Sequence, residues 1–254
     1  GLAEMIRAAA GEARPQVAVD PPRRGPAPTG PLEDSLDCLR DPTATHLPAQ
    51  AYVRVMRGCD KFCAYCVVPQ VRGPERSRSP ESILEEVRRL AGAGVTQVTL
   101  LGQTVNSYRH RDADRSVGLA DLLERLDALA GLRRIRFLTS YPADFDEAIL
   151  QAMRDLPKVC EYLHLPAQSG SDRVLKAMNR RYSRGEYDEL IDKARRIVPG
   201  VAVAGDFIVG FPGETKEDFA ASGDLIRRSR YKNSYIFKYS PRPGTAADRR
   251  QQDD

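Results

Sequence analysis

Three thiols, Cys59, Cys63 and Cys66, fall as CxxxCxxC inside residues 57–66 and make a metal ligand set with one vacancy. Thiolate sulfur is soft and matches iron and zinc. Four cysteines at such spacing would close a tetrahedral zinc site or saturate an iron–sulfur cube. Three, wrapped on one short loop, can hold three irons of a 4Fe–4S cluster and leave the fourth open to bind a small molecule. The competing reading is a zinc knuckle that borrows a fourth ligand from His46, His110 or His164, none of which has the paired spacing that zinc sites show. Cys38 and Cys160 stand apart. An odd five cysteines with three clustered points to metal chemistry in a reducing compartment, not to a disulfide framework.

A loop of this kind needs a rigid frame, and the pattern from residue 51 onward supplies one. A strand over 52–56 runs into the cysteine loop. Ser79 then offers an N-cap with Pro80 at the first helical position, and Ile83, Leu84, Val87 and Leu90 recur at helical spacing until Gly92 and Gly94. Strands follow at 97–101, 135–139, 161–165, 201–210 and 234–239. Helices at 119–130, 145–156, 171–180, 185–198 and 216–230 alternate with them. Six βα repeats imply an α/β chain with a parallel sheet. Residues 11–50 hold 8 of the 18 prolines, which suits an extended linker, and a helix over 2–10 is too short to stand alone.

The 254 residues, 41% of them hydrophobic, suffice for one full core. No apolar run approaches the roughly 18 residues of a membrane span, and residues 1–30 lack a signal-peptide pattern, so a cytoplasmic chain is expected. The net charge of +4 is too small to identify a polyanionic partner, and distribution says more. Residues 57–78 carry five basic side chains against two acids, and residues 227–250 carry eight against one, Asp248.

The triad, with Tyr65 just before its last cysteine, resembles the radical S-adenosylmethionine superfamily. Four stretches sharpen the resemblance to its methylthiotransferases: YVRVMRGCDKFCAYCVVPQVRGPERSR at 52–78, LLGQTVNSY at 100–108, HLPAQSGSDRVLKAMNRRY at 164–182 and DFIVGFPGET at 206–215. The branch most resembled methylthiolates isopentenyladenosine in tRNA. Thr104 and Gln70 depart from that branch's commonest forms. The likeness covers about residues 51–247 and implies a partial (βα)6 TIM-like barrel with an irregular N-terminal extension. Such barrels react at the carboxyl ends of their strands. Gln103 follows the second strand, Ser140 the third, Gln168 and Ser169 the fourth, and residues 210–214 the fifth.

The resemblance also implies roles. Cys59, Cys63 and Cys66 would bind the 4Fe–4S cluster, whose open iron chelates S-adenosylmethionine. Tyr65 would lie beside the adenine, where stacking is worth roughly 1–3 kcal/mol in nucleic-acid contexts. Ile208 would lie against the base, and Gly210 and Gly213 would let the backbone come close. Arg180 would meet the methionine carboxylate, with Arg181 as the alternative. Gln103, Ser140, Gln168 and Ser169 would bond the ribose and carboxylate, or else cap their own loops. One electron from a flavodoxin-type donor would cleave the sulfonium, and the resulting 5'-deoxyadenosyl radical would take hydrogen from carbon 2 of the modified adenine in a tRNA anticodon stem-loop. Phosphates would sit on the basic segments. A ribosomal-protein aspartate enzyme, a threonylcarbamoyladenosine enzyme, and a noncatalytic metal-containing RNA-binding module remain alternatives. A monomer is expected. So is a fragment: residues 1–50 as the tail of an N-terminal domain plus linker, 51–247 as the core, and 248–254 as the start of a linker to a C-terminal RNA-binding domain. The family's auxiliary 4Fe–4S cluster needs three cysteines besides the triad, and only Cys38 lies upstream of it.

Overall fold

Aliphatic and β-branched residues concentrate in six short parallel strands. In the computed structural model, which describes residues 49–112 and 115–253, these are β1 (Gln50–Arg54), β2 (Gln97–Leu101), β3 (Arg134–Phe137), β4 (Tyr162–His164), β5 (Ala202–Val209) and β6 (Asn233–Lys238). The expected helix at 2–10, the proline-rich stretch to residue 48, Cys38 and His46 lie outside the described residues.

Strands β1, β2 and β3 pair in that order, with Val53 opposite Leu100 and Leu100 opposite Phe137. Strands β4, β5 and β6 pair likewise, with Leu163 opposite Val203 and Ile208 opposite Phe237. The two runs meet through a parallel bridge between Ile135 and Val159, and the Ser140 N–H donates to the His164 carbonyl at 3.1 Å. Spatial order thus follows chain order without reversal. That is the topology of a (βα) barrel left open at one side, because a doubly wound sheet reverses its order part-way.

The helices form where caps and apolar stripes coincide. Helix α1 (Pro80–Gly92) starts at Ser79, whose side chain accepts from the Ser82 N–H, and buries Ile83, Leu84, Val87 and Leu90 against the sheet. Helices α2 (Leu119–Asp127), α3 (Glu147–Asp155), α4 (Asp172–Ala177), α5 (Arg184–Ile197) and α6 (Lys216–Ser229) follow. Capping boxes, Ser183 with Glu186 and Thr215 with Asp218, open α5 and α6. Val53, Leu100, Ile135, Leu163 and Phe207 have no exposed surface. Each such side chain contributes about 1.5–3 kcal/mol by leaving water.

Several boundaries differ from the sequence expectation for local reasons. The strand expected at 52–56 stops at Arg54, and Met56–Arg57 pair antiparallel with Arg76–Ser77 to clamp the base of the cysteine loop. The helix expected to reach residue 180 ends at Ala177, because Asn179 takes φ +56 and reverses the chain. A five-residue helix, Val68–Arg72, and a hairpin pairing Arg109–Asp112 with Arg115–Gly118 have no sequence counterpart, being too short to show a period. Asp248–Asp253, expected as linker, form a 3-10 turn. Among the described residues no helix is long and apolar enough to cross a membrane.

Candidate metal centre and its cavity

The cysteine loop leaves β1 at the carboxyl end of the barrel and is tied down at several points. Gly58 turns it with φ +74, and the Cys59 N–H donates to the Gly73 carbonyl at 3.1 Å. Ala64 N–H donates to Met178 O at 2.8 Å, Asn179 Nδ2 to Phe62 O at 2.8 Å, and Ala247 N–H to Ala64 O at 2.8 Å. The segment after α4 is therefore a strap across the loop, and the chain after β6 is a second one. A small apolar cluster beneath them, Ala64, Val174, Met178, Phe211 and Ala247, explains why both straps stay down.

Cys59, Cys63, Tyr65 and Cys66 all border one cavity of ≈ 400 Å³ at the carboxyl ends of the strands. Gln103, Ser140, Gln168 and Arg180 border it too. Among the described residues no three His, Cys, Asp or Glu side chains crowd together as they would around a single ion. The three thiols border one cavity, and as a soft donor set they suit iron and sulfide. Burial pushes the Cys59 thiol up to about 11 and raises Cys66 as well, so loading metal must expel protons.

The polar rim has unused bonding capacity. The buried Oε1 atoms of Gln103 and Gln168 and the Ser140 hydroxyl have no partner in the protein. Unpaired buried polar atoms cost about 1–3 kcal/mol each, and three of them on residues that border one cavity mark a place for a polar ligand. Gln168 holds φ +69 because its N–H donates to Asp206 O at 2.8 Å while its carbonyl accepts from Ile208 N–H at 3.0 Å. A second cavity of ≈ 450 Å³ shares Tyr65, Cys66, Gln168 and Asp206 with the first and continues to Ile208, Phe237 and Arg242.

Ser169 and Gly210 do not reach these cavities. The Ser169 hydroxyl lies 3.4 Å from Ser222 Oγ and accepts from Ser171 N–H at 3.2 Å, so it pins the loop to α6. Gly210 makes a tight turn at φ +67, its N–H bonded to the Glu214 carboxylate. Arg181 is exposed, and its N–H donates to the Tyr141 hydroxyl at 3.0 Å; of the two arginines only Arg180 faces the site.

Sequence reasoning missed Asp206 and its partner. His164 Nδ1 accepts from Thr139 N–H at 3.1 Å, which leaves the proton on Nε2 to donate to Asp206 Oδ1 at 3.1 Å. Asp206 borders both cavities, yet it sits inside an apolar run where only the strand's alternation could have revealed its inward direction.

Comparison with known proteins agrees with the geometry. The profile described as Radical SAM superfamily matches residues 53–226. The chain is 56% identical over 214 residues to tRNA-2-methylthio-N(6)-dimethylallyladenosine synthase of Rhodopirellula baltica, covering 84% of this chain and 45% of that protein. It is 48% identical over 217 residues to the synthase of the same name from Thermoanaerobacter sp., covering 85% and 46%. The chain thus spans about half the length of the curated relatives it matches. Among solved structures, the radical S-adenosylmethionine methyltransferase TsrM from Kitasatospora setae superposes with TM-score 0.63 at 18% identity, over 78% of this chain and 38% of that one. Coproporphyrinogen III oxidase from Escherichia coli gives 0.59 at 20% identity, over 88% and 51%. Both likenesses concern the fold.

Proposed function

We propose, on the premise that this chain belongs to the radical SAM superfamily, that it is the catalytic barrel of a tRNA methylthiotransferase acting on carbon 2 of isopentenyladenosine beside the anticodon. One observation carries the reading: Cys59, Cys63, Cys66, Tyr65 and the unpaired amides of Gln103 and Gln168 converge on a single cavity at the carboxyl ends of the strands. A 4Fe–4S cluster held by the three thiols would supply the electron that splits S-adenosylmethionine into methionine and a 5'-deoxyadenosyl radical.

The chain's own side chains bind and orient. Tyr65 and Ile208 offer apolar faces to an adenine where the two cavities join. Gln103, Ser140 and Gln168 have free acceptors for ribose and ammonium groups. Asp206, fixed by His164, accepts from an N–H or O–H of whatever lies between them. Further out, the rings of Tyr235 and Phe237 stack at 6.5 Å and stand more than half exposed, with Lys238 and Arg242 on the rim of the second cavity. Exposed π-faces beside cations suit bases splayed from a tRNA anticodon loop. A flavodoxin-type donor supplies the electron, and the working form is a cytoplasmic monomer.

Label transfer tests the substrate. Reconstituted protein is incubated with S-adenosylmethionine and an isopentenyladenosine anticodon stem-loop deuterated at carbon 2. Deuterium in the released 5'-deoxyadenosine supports the reading. Release without label, unaffected by the RNA, would instead favour the aspartate or threonylcarbamoyladenosine reactions, and no release by cluster-loaded protein would leave the noncatalytic module standing.

A further inference from the structure

Arg180 was expected at a substrate carboxylate, but three of its five N–H donors already have partners in the protein. Nε donates to the Tyr182 hydroxyl oxygen at 2.9 Å, Nη2 to the Pro166 carbonyl at 3.1 Å, and Nη1 reaches Cys63 Sγ at 3.4 Å. The Tyr182 hydroxyl in turn donates to Ala167 O at 2.8 Å, so its oxygen is free to accept. The half-buried guanidinium also packs against two rings, 4.5 Å from the Tyr141 centroid and 5.1 Å from that of Tyr182. Among the described residues it forms no ion pair with a carboxylate, and all its other partners are neutral. A half-buried cation without a carboxylate is costly unless another negative group faces it. The group it faces is the middle thiol of the triad.

We propose that Arg180 is a positioning residue for the cluster: it hydrogen-bonds the Cys63 sulfur and, with its fixed positive charge, makes the cluster easier to reduce. The inference rests on the proposed cluster but not on its substrate. Reduction adds one electron from a low-potential one-electron donor and makes the cluster one unit more negative, with no bond made or broken. A cation held beside a ligating sulfur favours that more negative state, and hydrogen bonds to cluster sulfurs raise the potential in the same sense. Asn179 and Tyr182 supply the mount: the reversal at Asn179 ends α4, and Tyr182 grips the fork from below.

The test is a redox titration of the reconstituted protein with dithionite in the absence of S-adenosylmethionine, followed by the paramagnetic resonance signal of the reduced cluster and by iron content. Arg180→Gln is expected to bind wild-type iron, while its ratio of reduced to oxidised cluster at a given potential falls about tenfold, or ~59 mV for one electron. Arg180→Lys, which keeps the charge but loses the fork, should shift in the same direction by less. A loaded Arg180→Gln protein with the wild-type midpoint overturns the proposal, as does loss of iron from both variants, which would make Arg180 a folding residue only. A wild-type chain that holds no cluster refutes the underlying cofactor reading instead. Weaker S-adenosylmethionine binding with an unchanged midpoint would return Arg180 to the carboxylate role.

Discussion

Replacing Gly58 by alanine separates two effects at the entrance to the metal loop. Gly58 and Gly73 hold almost the same backbone angle, φ +74 and +72. At positive φ a Cβ costs an L-residue about 1–3 kcal/mol, and Gly73, with ψ −165, sits in a region essentially reserved for glycine. At Gly73 that is the whole cost, since no heavy atom lies within 4 Å of the added carbon. At Gly58 the same carbon would fall 1.9 Å from the Pro74 carbonyl oxygen and 2.6 Å from the Gly73 oxygen, both backbone atoms that cannot rotate away. Relieving such overpacking adds about 1–3 kcal/mol. It also pulls Cys59 off the Gly73 carbonyl, a bond worth roughly 1 kcal/mol. With about 2–4 °C lost per kcal/mol in a domain of this size, Gly73→Ala should melt about 2–12 °C lower and Gly58→Ala on the order of 10 °C lower again. Circular-dichroism melts of the metal-free proteins, with iron analysis after reconstitution, measure both. Gly58→Ala should also retain less iron, whereas Gly73→Ala should load normally. Equal melting shifts and equal iron would refute the reasoning, because both sites carry a positive φ and only Gly58 adds a clash.

Other expectations follow from the same geometry. Cys63→Ala should abolish both the brown absorbance of the reconstituted protein and 5'-deoxyadenosine release; unchanged iron content would count against the ligand assignment. Gln168→Ala removes an acceptor at the seam of the two cavities, and equilibrium dialysis should show S-adenosylmethionine binding about 3–10-fold weaker, matching a net hydrogen bond of roughly 0.5–1.5 kcal/mol; unaltered binding would place Gln168 outside the ligand. Burial opposes ionisation of Asp218, but bonds from Ser171, Arg173 and Thr215 prevail and hold its carboxyl far below the usual carboxylate range. Its folded-state value is lowered, so its contribution is present above the unfolded value of about 3.9 and is lost as pH falls further. Asp218→Asn should therefore lower stability by about 1–3 kcal/mol at pH 7 and flatten the acid limb of the stability profile, which urea titrations at several pH values would show.

The sequence displays the barrel and the metal loop because both depend on spacing. Thiols separated by three and by two intervening residues can be counted, and βα alternation is visible wherever a strand or helix is long enough to carry its period. What escapes depends on a single backbone angle or a turn of the chain. Arg180 meets Cys63 only because Asn179 reverses the end of α4; an asparagine there signals a helix stop but not where the next side chain will point. Ser169 looks like a ligand from its place after β4, yet it faces Ser222 because Gly170 packs against α6, where a Cβ would lie 2.3 Å from the Ala221 carbonyl. Gly210 shapes the turn after β5 without touching the cavity. Asp206 is concealed for the opposite reason: one acid in an apolar strand reads as an interruption until pairing fixes its face.

The central claim is a cluster gripped by three thiols with one iron left open. A Mössbauer spectrum of the iron-57 reconstituted protein, taken before and after adding S-adenosylmethionine, tests it most directly. One iron site of each cube should change its isomer shift when the sulfonium compound arrives, while the other irons stay as they were. A spectrum indifferent to S-adenosylmethionine, or protein that takes up zinc in place of iron and sulfide, would contradict it.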